Sequence, residues 1–161
     1  MDTENESCDD LESCKAFVRR RQEMQMKVED KNKTANDILD IKENFLIAPC
    51  GIIFEGRGFS YEGQHTQDES LTSYNSKAIG IAFIGNYTKK NLTRNQVEAF
   101  ESLVWKNVRN GFIKADFKLY HRDQITCMKD FENDNLFKTV RTWDRWSESE
   151  LIRSQMFYLE K

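Results

Sequence analysis

The sequence predicts an α/β fold in which a mixed central β-sheet is flanked by about three helices. Stretches with apolar residues at helical spacing alternate with short apolar runs of strand length. With 7 glycines and one proline, the chain is no fibrous or low-complexity sequence. Its 161 residues suit one domain, expected over 8–147, followed by a charged tail at 148–161.

Residues 11 to 29 read as a helix, because Leu11, Cys14, Phe17, Val18 and Met24 recur near its period. Its Arg19-Arg20-Arg21 run reads as a solvated face. Residues 31–37 are polar and turn-like. The runs 45–47 and 52–54, separated by Ala48-Pro49-Cys50-Gly51, read as a hairpin. Residues 56–72 form an extended loop, and the apolar run 78–85 reads as a central strand buried on both faces. Thr93 and Gln96 form a capping box ahead of a helix whose stripe is Val97, Phe100, Val104 and Val108 and whose stop is Asn110-Gly111. A strand over 117–120 and a helix around 135–146 complete the order.

Composition excludes several functions. Net charge is −3, from 24 basic and 27 acidic residues, so no global field favours nucleic acid. No apolar stretch reaches the roughly 18 residues of a membrane helix. Read literally, the acidic start MDTENESCDDLE has no secretory-signal pattern and places the chain in the cytoplasm, or makes it part of something longer. Four N-x-S/T sequons, at Asn5, Asn32, Asn86 and Asn91, are candidate glycosylation sites and favour a secretory history instead. The four cysteines form no C-x-x-C pair. Cys8 and Cys14 are near enough in sequence for a small disulfide loop, and two free thiols fit the spacing equally well.

The blocks NFLIAPCGIIFEGRGFSYEGQHT, YNSKAIGIAFIGNYT, FKLYHRD and LFKTVRTWDRWS, in this order, closely resemble the peptidoglycan recognition protein family. Its fold is shared with bacteriophage-type zinc amidases. Around Cys8 and Cys14 the chain follows the family pattern CxxxxxC…VRxIQxYHM at Val18, Arg19, Gln22 and Met26. The resemblance implies a Cys8–Cys14 disulfide and an extracellular or ectodomain setting. It also implies that the family's first strand is absent, since only seven residues precede Cys8. A sheet lacking that strand has an open edge, so marginal stability or reliance on a partner is expected.

Catalytic members resemble zinc hydrolases that hold the metal with two His and one Cys, with a water in the open position. A Tyr stabilises the developing charge. Carried over residue by residue, this site is eroded. No His occurs before His65, so the first ligand is missing. The family Tyr of DIGYNFL aligns with Glu43 in DIKENFL. His121 aligns with the second His, and Cys127 lies closer to it than the family Cys does. These residues read as vestigial, with no catalytic residue and no zinc or other cofactor expected. The family groove reads a muramyl-peptide stem, and Arg57, His65, Tyr74 and Asn75 retain its pattern. Departures are Met24, Gln25 and Phe59, while Ser76 replaces the Arg that grips a diaminopimelate carboxylate. Lys77 lies one residue out of register and is not equivalent.

The expected function is therefore a non-catalytic recognition domain of innate immunity. It binds peptidoglycan fragments weakly or not at all and modulates signalling through other family members or immune receptors. Tyr61, Trp105 and Trp146 are candidate interface aromatics, with core packing the expected role of the tryptophans. The alternative is a zinc-dependent N-acetylmuramoyl-L-alanine amidase represented by a truncated isoform or gene model.

Overall fold

The computed structural model describes residues 8–26, 41–65, 73–122 and 134–147. In chain order these form α1 (Leu11–Met26), β1 (Phe45–Ile47), β2 (Ile53–Glu55), α2 (Ser73–Lys77), β3 (Ile81–Phe83), α3 (Arg94–Arg109) and α4 (Asn135–Val140). They divide into two compact units. The first holds the described residues up to Asn86 together with Thr93–Leu103; the second holds Tyr87–Leu92 and the described residues from Val104 on. No helix among the described residues is long and apolar enough to cross a membrane.

The first unit contains the expected mixed sheet, of three strands in the order β2-β1-β3. Strand β1 runs antiparallel to β2, with Leu46 opposite Phe54. It runs parallel to β3, with Leu46 opposite Ala82. The hairpin turn is closed by Ala48 N–H donating to Ile52 O (2.9 Å) and Gly51 N–H to Ala48 O (2.8 Å). Gly51 has φ +88°, and a Cβ there would also press on Asn95 at 3.1 Å, so glycine is needed.

The 78–85 segment departs from expectation: its strand is only Ile81–Phe83, lies outside β1 in the described sheet, and is half-buried. Side chains end its ladder at both ends. Gly80 N–H donates to Asn44 Oδ1 (2.8 Å), while Gly80 O accepts from the backbone of Asn44 and Phe45. Beyond the other end, Gln96 Nε2 donates to both Ile47 O and Ile84 O at 3.1 Å.

Helix α1 starts where Asp10 Oδ1 accepts from Ser13 N–H (2.9 Å) and Asp10 N–H donates to Ser13 Oγ (3.2 Å). The bond from Ser13 holds the Asp10 carboxyl below its ordinary range. The helix buries Cys14 and Phe17 against Cys8, Ile41, Leu46, Ala48 and Ile84. Cys8 and Cys14 form a disulfide inside that core. Helix α2 is absent from the sequence reading because it is only five residues long, closed by Ala78 N–H donating to Tyr74 O (2.9 Å). The α3 capping box forms as expected: Gln96 N–H meets Thr93 Oγ1, and Thr93 N–H meets Gln96 Oε1, both at 3.1 Å.

In the second unit, α3 ends at Asn110-Gly111 as expected, with Gly111 at φ +78°. Two expectations are corrected. The 117–120 strand is a single parallel bridge, Leu119 to Trp146. The last helix stops at Val140, because Thr142 and Trp143 N–H bond three residues back and tighten the chain into turns. Trp105 is no core residue: it is 43% exposed, beside Phe117 and under Arg145. The expectations for 27–29, 31–37, 66–72, Cys127, Asn5, Asn32 and the 148–161 tail lie outside the described residues.

Candidate ligand-binding site

The candidate site forms around Ile41–Asn44, the segment leading into β1. Its backbone is gripped from α1, where Gln25 Oε1 accepts from Lys42 N–H (2.8 Å). The loop after β2 grips it too: Arg57 N–H donates to Glu43 O (3.1 Å) and Gln64 N–H to Lys42 O (2.7 Å). Asn44, 1% exposed, is the hub. Its Nδ2 donates to Gly58 O (2.7 Å) and Tyr61 O (3.1 Å), and its Oδ1 accepts from Gly80.

The side chain of Glu43 is 14% exposed and that of Arg21 23%, and they form an ion pair at 2.5 Å. Arg21 is therefore no part of a solvated face. The signal for it was present in the sequence, because Arg21 lies one turn beyond Phe17 on the buried stripe of α1. It occupies the position of Ile in the family pattern VRxIQ, just as Glu43 occupies that of Tyr. Two departures from the pattern have become partners.

His65 is half-buried beside this pair. A Cβ on Gly80 would stand 2.7 Å from its Nδ1, and one on Gly63 would overlap that atom. The two glycines thus make room for the imidazole. Burial lowers the His65 pKa, and the Glu43 charge opposes the shift. His65 Nδ1 and Glu43 Oε2 are buried and make no hydrogen bond among the described residues.

Arg57 holds the backbone: Nε donates to Ile41 O (3.0 Å) and one terminal nitrogen to Glu62 O (3.2 Å). Tyr74 and Asn75 are half-buried on α2. The structure brings Glu43 and His65 together with Arg21, and ties Arg57 to the same segment. His121 belongs to the second unit, edge-on to Phe137 with ring centroids 5.8 Å apart. Among the described residues no group of three or more His, Cys, Asp or Glu could hold a metal ion.

With the sheet and this site defined, the chain falls in a known class. Residues 2–134 match the family model of N-acetylmuramoyl-L-alanine amidase. Among curated relatives, Peptidoglycan-recognition protein SC2 of Drosophila melanogaster is 37% identical over 107 residues, 66% of this chain and 55% of that protein. Among solved structures, Manduca sexta Peptidoglycan Recognition Protein-1 superposes with TM-score 0.76 at 27% identity, covering 96% of this chain and 81% of that one. A chain of the ectodomain complex of PGRP-LCa and PGRP-LCx bound to tracheal cytotoxin gives TM-score 0.73 at 31% identity, covering 89% and 79%. The chain belongs to the peptidoglycan recognition protein family. It spans about half the length of the curated relative, 55%.

Proposed function

We propose that the chain is a non-catalytic peptidoglycan recognition domain of innate immunity, binding cell-wall fragments weakly or not at all and modulating signalling through protein partners. The Arg21–Glu43 pair carries this reading. Amide hydrolysis develops negative charge on the carbonyl oxygen, which a Tyr hydroxyl at position 43 would stabilise by donating to it. An ionised carboxylate has no proton to donate and repels that charge.

The residues present also fit zinc poorly. One Glu43 oxygen is committed to a guanidinium, and His65 Nδ1 is packed against Gly63 and Gly80. An extracellular or ectodomain setting is supported by the disulfide and by the ectodomain complex among the structural neighbours. That complex also supports a family member as partner and a peptidoglycan fragment as ligand; Arg57, His65, Tyr74 and Asn75 are the groove residues of this reading, on their match to the family pattern alone.

The test has two arms. Insoluble lysine-type and diaminopimelate-type peptidoglycan are incubated with the non-reduced protein and zinc, and released stem peptide is measured. None is expected; zinc-dependent release that disappears in His121→Ala would establish the amidase instead. Co-sedimentation with the same two polymers reads binding, and tight retention by either would make the chain a peptidoglycan receptor in its own right.

A further inference from the structure

We infer that Asn91 is an N-glycosylation site of this chain and that Asn86, the other sequon among the described residues, is not. Both are Asn-x-Thr, five residues apart, so sequence alone does not separate them. The fold does. Asn86 is half-buried, already engaged by neighbouring groups, and followed by Tyr87, which is 7% exposed. A branched oligosaccharide on that amide would have to displace packed chain. Asn91 lies in the exposed run Thr88–Asn91. The loop holding it is anchored from α4: Asn135 N–H donates to Tyr87 O (2.9 Å), and Asn135 Nδ2 to Lys90 O (3.3 Å). A surface loop of this kind carries a sugar at no cost to the core. The Cys8–Cys14 disulfide is an independent mark of the oxidising compartment in which such transfer takes place.

In the transfer, Asn91 Nδ2 bonds to the anomeric carbon of a lipid-linked oligosaccharide. The bond from that carbon to the carrier's pyrophosphate oxygen breaks, the pyrophosphate leaves with the electron pair, and the proton lost by the amide passes to solvent. The sequon hydroxyl sets the timing. In the folded chain Thr93 Oγ1 donates to Pro49 O (2.7 Å) and receives Gln96 N–H (3.1 Å), so it is committed to capping α3. Modification therefore precedes folding, and the fold then selects: a chain carrying sugar at half-buried Asn86 cannot pack, so of these two sequons the folded, secreted protein carries it at Asn91 only. A sugar on Asn91 removes the Lys89–Asn91 loop from any protein interface, and partners must bind elsewhere.

The experiment is expression of the full gene product in insect secretory cells, followed by peptide-N-glycosidase treatment in heavy-oxygen water and peptide mass spectrometry. The isotope label is expected at Asn91 and not at Asn86. Asn91→Gln abolishes the label at that peptide, Asn86→Gln leaves it, and Thr93→Ser retains the acceptor hydroxyl and the label. Circular dichroism melting of Asn91→Gln, expected to match the deglycosylated parent, separates loss of the acceptor from loss of the fold. An unlabelled Asn91 in folded secreted protein, or a label at Asn86, overturns the inference.

Discussion

The guanidinium of Arg21 on helix α1 closes on the carboxylate of Glu43 ahead of strand β1, both largely withdrawn from solvent. Removing one partner strands the other charge. Arg21→Ala is expected to destabilise the domain by about 3 kcal/mol, the low end of the range for breaking a buried pair. The double change Arg21→Ile, Glu43→Tyr, which restores the family pattern at both positions, costs less than the sum of the single changes. A double-mutant cycle in urea measures the coupling; additive single effects would dissolve the pair as an energetic unit.

The buried imidazole of His65 makes stability depend on pH. Its folded pKa is lowered from an ordinary value of about 6.5, so the unfolded chain binds the proton more readily. The contribution is complete above about pH 6.5 and is lost as pH falls through the folded pKa. His65→Gln should flatten the melting temperature between pH 7.5 and 5.5. Because the Glu43 charge opposes the shift, Glu43→Gln should lower the His65 pKa further, read by imidazole proton shifts in NMR. An upward movement in that variant contradicts the assignment.

Asn44 satisfies two carbonyls and the Gly80 amide from a position 1% exposed. Asn44→Ala removes the partner of the buried Gly58 carbonyl and of the partly buried Gly80 amide and Tyr61 carbonyl, and should cost about 3 kcal/mol, given about 1–3 per unsatisfied buried group and access of water to the others. Asn44→Asp places a carboxylate against the Gly58 and Tyr61 oxygens and is expected to be worse. Urea midpoints order the variants, and a near-neutral Asn44→Ala would remove the hub from the account.

The Cys8–Cys14 bridge closes a short loop, for which the chain-entropy relation gives about 2 kcal/mol. The Cys8→Ala, Cys14→Ala double variant should unfold at correspondingly lower urea and become insensitive to reductant. A parent protein that loses no stability on reduction would place the fold's support elsewhere.

How much was legible in the sequence depended on whether the signal was local. The hairpin, the Thr93–Gln96 cap and the Asn110-Gly111 stop were read correctly because each rests on residues a few positions apart. The first helix was recognised, but its Arg21 was assigned to water, since the opposing carboxylate lies 22 residues away in the chain. The 78–85 run looked like a fully covered strand from its apolar content. The ends of β3 are set instead by Asn44 and Gln96, polar side chains from other elements whose reach no periodicity reports. Leu119 and Trp146 likewise meet only as a bridge, a pairing between distant segments.

By itself the sequence determined the family, the mixed α/β class and the elements with local caps. It also carries Glu43 where the resembled family pattern has Tyr. Only the tertiary structure decided that Arg21 answers Glu43, that His65 fits between Gly63 and Gly80, and that Asn91 rather than Asn86 faces solvent. The physical reason is that capping and amphipathic spacing act within one or two turns of chain. Charge pairing, burial and exposure are settled by which distant segments the folded core brings together.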